Sequence, residues 1–406
     1  MRLKVFILII LLNILLPIKS YAEILSNAKF ENISIDDGLS NEDITSIFQD
    51  SKGYMWIGTK DGLNRYDGEN IKIYNCISGD ENTLSSTYIT DIEEDCNGNI
   101  WIATDHGLDL LDTDTIIRMK DRDDKYKLGE LKITSLLKSS YEEYIMWVGT
   151  ENGLMKIDIE NETIEAFYHD PDNPNSLISS SITCLEEGED NYLWVGTKQG
   201  INTISEDLKI YKNEDKRYKD RLFVSYISKD NLGNMWIATK EGIYMYNIRE
   251  DKKDKLYMIN SSGVKEYNIK ENIINDIYIF KDNEIRFYNN IIFTDSENNT
   301  WLSSSNGAIK YSKSKGIFEL YKKDINIKNS ISSNVINCFY EDFNGTIWIG
   351  TDKGVNILND DIMFNYINKV EDKNIVSILE HNGDIWVASK FKGIYIYDSK
   401  MEIVKR

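Results

Sequence analysis

The sequence predicts an all-β chain built from eight copies of one unit, and three observations carry that prediction. The eight tryptophans recur at near-regular spacing, with gaps of 45, 46, 47, 42, 65, 47 and 38 residues. When the copies are aligned on tryptophan, the residues around it fall into register. Between these landmarks run short alternating apolar and polar stretches broken by Asp, Asn and Gly, the pattern of strands joined by tight turns.

The landmarks are Trp56, Trp101, Trp147, Trp194, Trp236, Trp301, Trp348 and Trp386. The next residue is always aliphatic, the second is Gly, Ala or Ser, and the third is Thr or Ser. The sixth is Gly in seven copies and slips by one, to Gly393, in the last. Upstream, Asp stands six residues before Trp in five copies: Asp50, Asp95, Asp230, Asp295 and Asp342. In the first copy, "ITSIFQD" (Ile44–Asp50) reads as a half-buried strand and "DSKG" as a turn, where Asp bonds the backbone ahead of it. "YMWIGT" is a second strand whose Trp suits packing between neighbouring sheets. "KDG" is a second turn, and "LNRYD" and "IKIYN" are the third and fourth strands. Four antiparallel strands in about 45 residues make one propeller blade. An open solenoid is the alternative, but these units are hairpin meanders with turns at both ends, not parallel rungs.

Ahead of the first copy, Arg2 and Lys4, the apolar run Val5 to Ile18 and "SYA" (Ser20–Ala22) read as a signal peptide over residues 1–22, or as an uncleaved anchor. "NAKFENISIDDGLS" (Asn27–Ser40) resembles a fourth strand with its exit loop, so it is expected to complete the last blade of a ring. If it completes the seventh copy, residues 23–358 form a seven-bladed ring and residues 359–406 begin a second one. This arrangement is preferred over a single eight-bladed ring, in which "MEIVKR" (Met401–Arg406) would duplicate the N-terminal strand. The long gap before Trp301 is carried by Ser261–Asn290, read as an inserted surface hairpin or as an insertion that shapes a ligand site over one face.

Composition excludes several function classes. The formal charge is −20, and an acidic chain repels phosphate backbones, so no nucleic-acid partner is expected. The cysteines Cys76, Cys96, Cys184 and Cys338 have no metal-ligand spacing; Cys184 and Cys338 stand at equivalent strand positions and read as small apolar residues. His106, His169 and His381 fall in three different blades, which argues against a shared metal. No hydrolase, zinc-protease or phosphate-loop motif occurs. The acid pairs Glu93-Glu94 and Glu186-Glu187 are read as solvated turn residues, because adjacent strand residues face opposite ways. No cofactor, metal or catalytic residue is expected.

The recurring pattern I-T-x-[IL], D-x-x-G-x-x-W-[IV]-G-T-x-x-G-[LIV]-x-x-[YIL]-[DN] stands almost complete in Ile44–Asp67, Ile89–Asp112 and Ile336–Asn359. It resembles the two-component regulator propeller repeats of bacterial sensor proteins. "HDPDNPNSLISSSIT" (His169–Thr183) and "DGLSNEDIT" (Asp37–Thr45) resemble that family's inter-blade segments. The resemblance implies an extracytoplasmic, non-catalytic ligand-sensing module of a receptor whose histidine kinase or diguanylate cyclase output lies elsewhere. It also implies a small ligand such as a glycan, membrane attachment only through the leader or a span beyond this sequence, and a homodimer if the chain is part of a receptor. A secreted propeller glycosidase or polysaccharide lyase and a protein-docking scaffold are the alternatives.

A propeller presents its loops at the two ends of a central channel. The positions that vary most between copies are the two residues inside the second turn. They supply the candidate ligand-binding residues Lys60, Asp61, His106, Lys198, Lys240 and Lys353, joined by Arg65, the only arginine in a motif strand.

Overall fold

The computed structural model describes residues 24–25, 28–113, 115–119, 126–189, 191–212, 223–240, 242–246, 255–260, 263–268, 273–279, 291–312, 317–327, 329–359, 375–381, 384–389, 393–397 and 403–405. The expected leader, residues 1–22, lies outside them. The chain divides into two compact units, Met1–Asn359 and Asp360–Arg406.

Among the described residues, the first unit holds seven antiparallel sheets, one for each of the first seven tryptophans. In the first blade, Ile44–Gln49, Met55–Thr59, Gly62–Tyr66 and Ile71–Tyr74 follow one another across the sheet, as the alternating pattern requires. Each innermost strand lies beside the innermost strand of the next blade, and the seventh, Ile336–Glu341, lies beside the first, Ile44–Gln49. Hydrogen bonds cross the same seam: the Asn337 amide donates to Asp43 Oδ1 and to Ile44 O (both 2.9 Å), and Phe343 N–H donates to Gln49 Oε1 (2.8 Å).

Each of the first seven tryptophans packs forward onto the following blade. Trp56 clusters with Ile89 and Ile102, and Trp101 with Ile133 and Val148. Trp348 clusters with Ile44 and Ile57, which brings the seventh blade onto the first. The small residue two after Trp makes room for this contact. A Cβ on Gly350 would lie 2.4 Å from Cys338 Sγ and 2.8 Å from Ile44 Cγ2, closer than real Cβ contacts allow. Cys338 and Cys184 thus fill the space beside a cross-strand glycine, Gly350 and Gly196, and both are free thiols.

The aspartates read as turn formers do more. In the second blade, Asp95 Oδ1 accepts the backbone N–H groups of Asn97 (2.9 Å) and Asn99 (3.0 Å), while Oδ2 accepts the Trp101 indole N–H (3.0 Å). The same indole bond joins Asp50 to Trp56, Asp230 to Trp236, Asp295 to Trp301 and Asp342 to Trp348. Six residues therefore separate Asp and Trp because one carboxylate holds both the turn and the buried ring.

The N-terminal strand Lys29–Ile33 pairs antiparallel with Val355–Asn359, in register from Lys29↔Asn359 to Ile33↔Val355, and forms the outer strand of the seventh blade. Ile24–Leu25 adds a parallel fifth strand to the sixth blade. The fifth blade has six strands, because Gly263–Asn268 and Ile273–Ile279 continue it beyond Lys255–Asn260. The long insertion thus adds a hairpin to the sheet's edge.

The second unit, described by itself, is one four-stranded sheet: Ile375–His381, Asp384–Ser389, Gly393–Tyr397 and Ile403–Lys405. Its outer strand comes from the C-terminal segment, so the two outer strands that competed for one place in an eight-bladed ring occupy different sheets.

Candidate functional site

The site is built from three features repeated in the blades. The Thr or Ser three after Trp locks the second turn: Thr104 donates its hydroxyl to Gly107 O (2.8 Å) and accepts His106 N–H (3.1 Å). Gly107 has φ 135°, a conformation side chains disfavour, so glycine stands there. The turn's first residue then bonds the residue that precedes the innermost strand, as in Lys60 N–H to Asp43 O, Glu151 N–H to Lys132 O and Lys198 N–H to Ser181 O (each 3.1 Å). Finally, each full-length innermost strand of the ring carries a β-bulge at its second residue, for example at Thr90, Thr134, Thr183 and Ser225. Turn residues, strand-preceding residues and bulge hydroxyls are thereby brought to the same end of the channel.

At that end lies an open cavity of about 530 Å³, walled by the second to fifth blades. Lys132, Lys198, Lys240 and Glu151 line it, with Phe223 and the hydroxyl residues Thr90, Thr134, Thr183 and Ser225. Lys240 Nζ stands 4.6 Å from the centre of the Phe223 ring, a cation–π contact that fixes its position.

The structure brings together two of the candidate residues, Lys198 and Lys240. Lys60 lies in an equivalent turn but pairs with Asp43 (2.5 Å), which holds its amine above the usual range, and Asp61 beside it is exposed. Lys353 pairs with Glu42 (2.6 Å). His106 is exposed, with Nδ1 3.2 Å from Asp105 Oδ1. The Arg65 guanidinium stacks over Tyr54, 4.6 Å from the ring centre, on the outer part of the first blade. Lys132 was not legible as a site residue, because it lies outside the turn; its signal is the backbone bond that ties the residue before each "I-T" to the turn.

The acid pairs are not solvated turn residues, which corrects the sequence reading. Glu94 and Glu187 are buried and clamp neighbouring blades: Glu94 accepts Ser51 N–H (2.8 Å) and Ser51 O–H (2.7 Å), and Glu187 accepts Ser139 O–H (2.6 Å) and Ser140 N–H (2.7 Å). Glu93, Glu186 and Asp91 stand between adjacent innermost strands, where Asp91 Oδ2 accepts Leu136 N–H (2.8 Å). An innermost strand has an unpaired edge, and these carboxyls serve that edge. Burial pushes the three up, Asp91 to about 6, Glu186 to about 7 and Glu93 to about 8.

A raised carboxyl favours the proton-bound form in the folded state. Its stabilisation is complete below the unfolded carboxylate range and is lost as pH rises through about 6 to about 8. Melting temperature is therefore expected to fall between about pH 5 and about pH 9, and Glu93→Gln with Glu186→Gln to flatten that fall. Melts of both chains across this range check it; an equal slope in the two would refute it.

The family pattern described as "Two component regulator propeller" matches residues 38–61, 83–106, 176–199 and 330–353. The chain carries two-component regulator propeller repeats. Each matched stretch runs from the inter-blade segment through an innermost strand to the second turn, so the matches fall on the columns that build the channel mouth. The chain also resembles several solved structures. The extracellular domain of a hybrid two component system from B. thetaiotaomicron is 21% identical with a TM-score of 0.63, over 93% of this chain and 49% of that one. The extracellular domain of a one component system from the same bacterium is 19% identical with a TM-score of 0.62, over 93% and 47%. The chain thus spans about half the length of these domains. Virginiamycin B lyase from Staphylococcus aureus is 16% identical with a TM-score of 0.54, over 81% of this chain and 98% of that one. These likenesses show the fold. In sequence, "Histidine kinase P4" of Formosa agariphila is 42% identical over 60 residues, which is 15% of this chain and 4% of that protein. Among the described residues, no helix is long and apolar enough to cross a membrane, and no group of three or more His, Cys, Asp or Glu could hold a metal ion.

Proposed function

We propose that this chain is the extracytoplasmic ligand-sensing input module of a bacterial signal-transduction receptor, and that it performs no catalysis itself. The observation that carries the reading is the cavity at the channel mouth. A constant scaffold of Trp, Thr and Gly holds an open space of about 530 Å³, within the range of small-molecule sites, and residues that differ from blade to blade line it. The similarity to extracellular domains of bacterial signalling systems supports the sensing role and the location outside the cytoplasm.

A glycosidase would bring two carboxyls to the scissile bond. Among the described residues lining this cavity, Glu151 is the one carboxylate. Fold kinship with a lyase assigns no chemistry, since unrelated functions share a fold.

The test is a thermal-shift screen of the purified full chain against neutral sugars, sugar acids, amino acids and oligosaccharides. A ligand at about 100 times its Kd adds about 2.7 kcal/mol to stability, a readable rise in melting temperature. A folded chain that responds to none of them, or that releases products from a polysaccharide, would overturn the reading.

A further inference from the structure

We infer that the channel mouth takes a small, hydroxyl-rich anion of the sugar-acid class. The inference deepens the sensing reading, because it concerns the same cavity, and it rests on how the lysines around the channel are paired. Lys60 and Lys353 occupy second turns and are neutralised by Asp43 and Glu42. Lys198 and Lys240 occupy the matching turns of the fourth and fifth blades. Among the described residues, neither has a carboxylate within ion-pair distance, and nor has Lys132. These three lysines line one cavity, and Glu151 is the one carboxylate among its described lining residues.

This local balance runs against the whole molecule. The chain has 67 acidic and 47 basic residues, yet these three lysines stand together with no carboxylate partner among the described residues. Like charges sharing a low-dielectric wall repel, and an anion arriving between them relieves that repulsion. Lys240 is already held over the Phe223 ring, so part of the ordering cost of binding is met before the ligand arrives.

The hydroxyls add the second half of the assignment. Thr90 donates its proton to Ile133 O (2.8 Å), and Ser225 donates to Ala238 O (3.1 Å). The Thr90 oxygen keeps a lone pair and accepts a hydrogen bond from a ligand that brings its own O–H donor. A bare inorganic anion has no such donors and a neutral sugar has no charge; a sugar acid has both. Lysines act as separate point charges, not bidentate forks, which suits a carboxylate surrounded by hydroxyls.

Titration calorimetry of the full chain with glucuronate, galacturonate and their dimers, beside glucose, galactose and the matching neutral dimers, tests this. The expected result is binding of at least one acid, weakened by salt, with no comparable binding of its neutral partner. Lys198→Met with Lys240→Met is expected to weaken that binding about tenfold or more, about 1.4 kcal/mol. Glu151→Gln is expected to tighten it, a gain that a damaged fold could not produce. A neutral sugar bound as tightly as its acid, or acid binding unchanged in the double variant, overturns the anion assignment and leaves ligand sensing standing. No binding by any probe removes the assignment, and a flat response in the broader screen removes the sensing function with it.

Discussion

Removing residues 24–33 is expected to abolish the cooperative melting of the ring and to drive the chain into aggregates. The strand Lys29–Ile33 makes five paired positions with Val355–Asn359 and buries Phe30 and Ile33, which are 4% and 5% exposed. Burying each such side chain contributes about 1.5–3 kcal/mol, and each ladder hydrogen bond about 1 kcal/mol. Their sum is comparable to the whole stability of a typical domain, about 5–15 kcal/mol. The truncated chain would also expose a strand edge that templates pairing between molecules. Phe30→Ala keeps the strand but removes the ring that packs edge-on against Tyr321, at 5.8 Å between centroids, and should cost about 3–5 kcal/mol. Size-exclusion chromatography and thermal melts read both changes. A truncated chain that stays monomeric and melts like the intact one would show that this strand does not hold the ring closed.

The second large effect is expected at Asp95. Its carboxylate accepts four hydrogen bonds, from Asn97 N–H, Asn99 N–H, the Asn99 amide and the Trp101 indole, and it is 3% exposed. Asp95→Ala leaves several buried donors unmatched, at about 3 kcal/mol or more. The third blade shows why alanine alone is a poor replacement. It lacks the aspartate, and Ser139 Oγ serves instead as acceptor for Glu142 N–H (3.1 Å). A single Asp95→Ala substitution in the second blade supplies no such acceptor and keeps only the backbone bond from residue 95 N–H to Asn99 O (3.0 Å). Chemical denaturation of Asp95→Ala measures the loss; a change under about 1 kcal/mol would mean the turn is held by its backbone alone.

The blades were legible in the sequence because each scaffold residue has a local physical job that recurs. Trp56 and its counterparts fill the gap between sheets, Gly58 and its counterparts admit the next blade, and Thr59 and its counterparts close a turn two residues long. The acids were misread for a reason specific to an innermost strand. Alternation assigns one of Glu93 and Glu94 to solvent, but both faces of that strand meet other blades and its edge meets the channel. Pairing decided the binding candidates, and pairing depends on distance in space. Lys60 and Asp43 are 17 positions apart, and Lys353 and Glu42 are 311 apart, so neither neutralisation was visible in the motif. Lys132 was hidden similarly, since it joins the cavity through a turn that starts at Glu151.

The seam of the seventh blade also fixes an order of events during synthesis. Ile33 pairs with Val355, a separation of 355 − 33 = 322 residues. A ribosome adds about 5–20 residues per second, so the strand Lys29–Ile33 waits roughly tens of seconds for its partner. Bringing such distant segments together carries a loop-closure entropy cost that grows only slowly with length, so time, more than thermodynamics, is the hazard. During that wait six blades can take shape one after another, each resting on the one before, while the segment that must finish the circle remains a free tail. The last hairpin of the ring to leave the ribosome, not the first, decides when the ring becomes a single cooperative object.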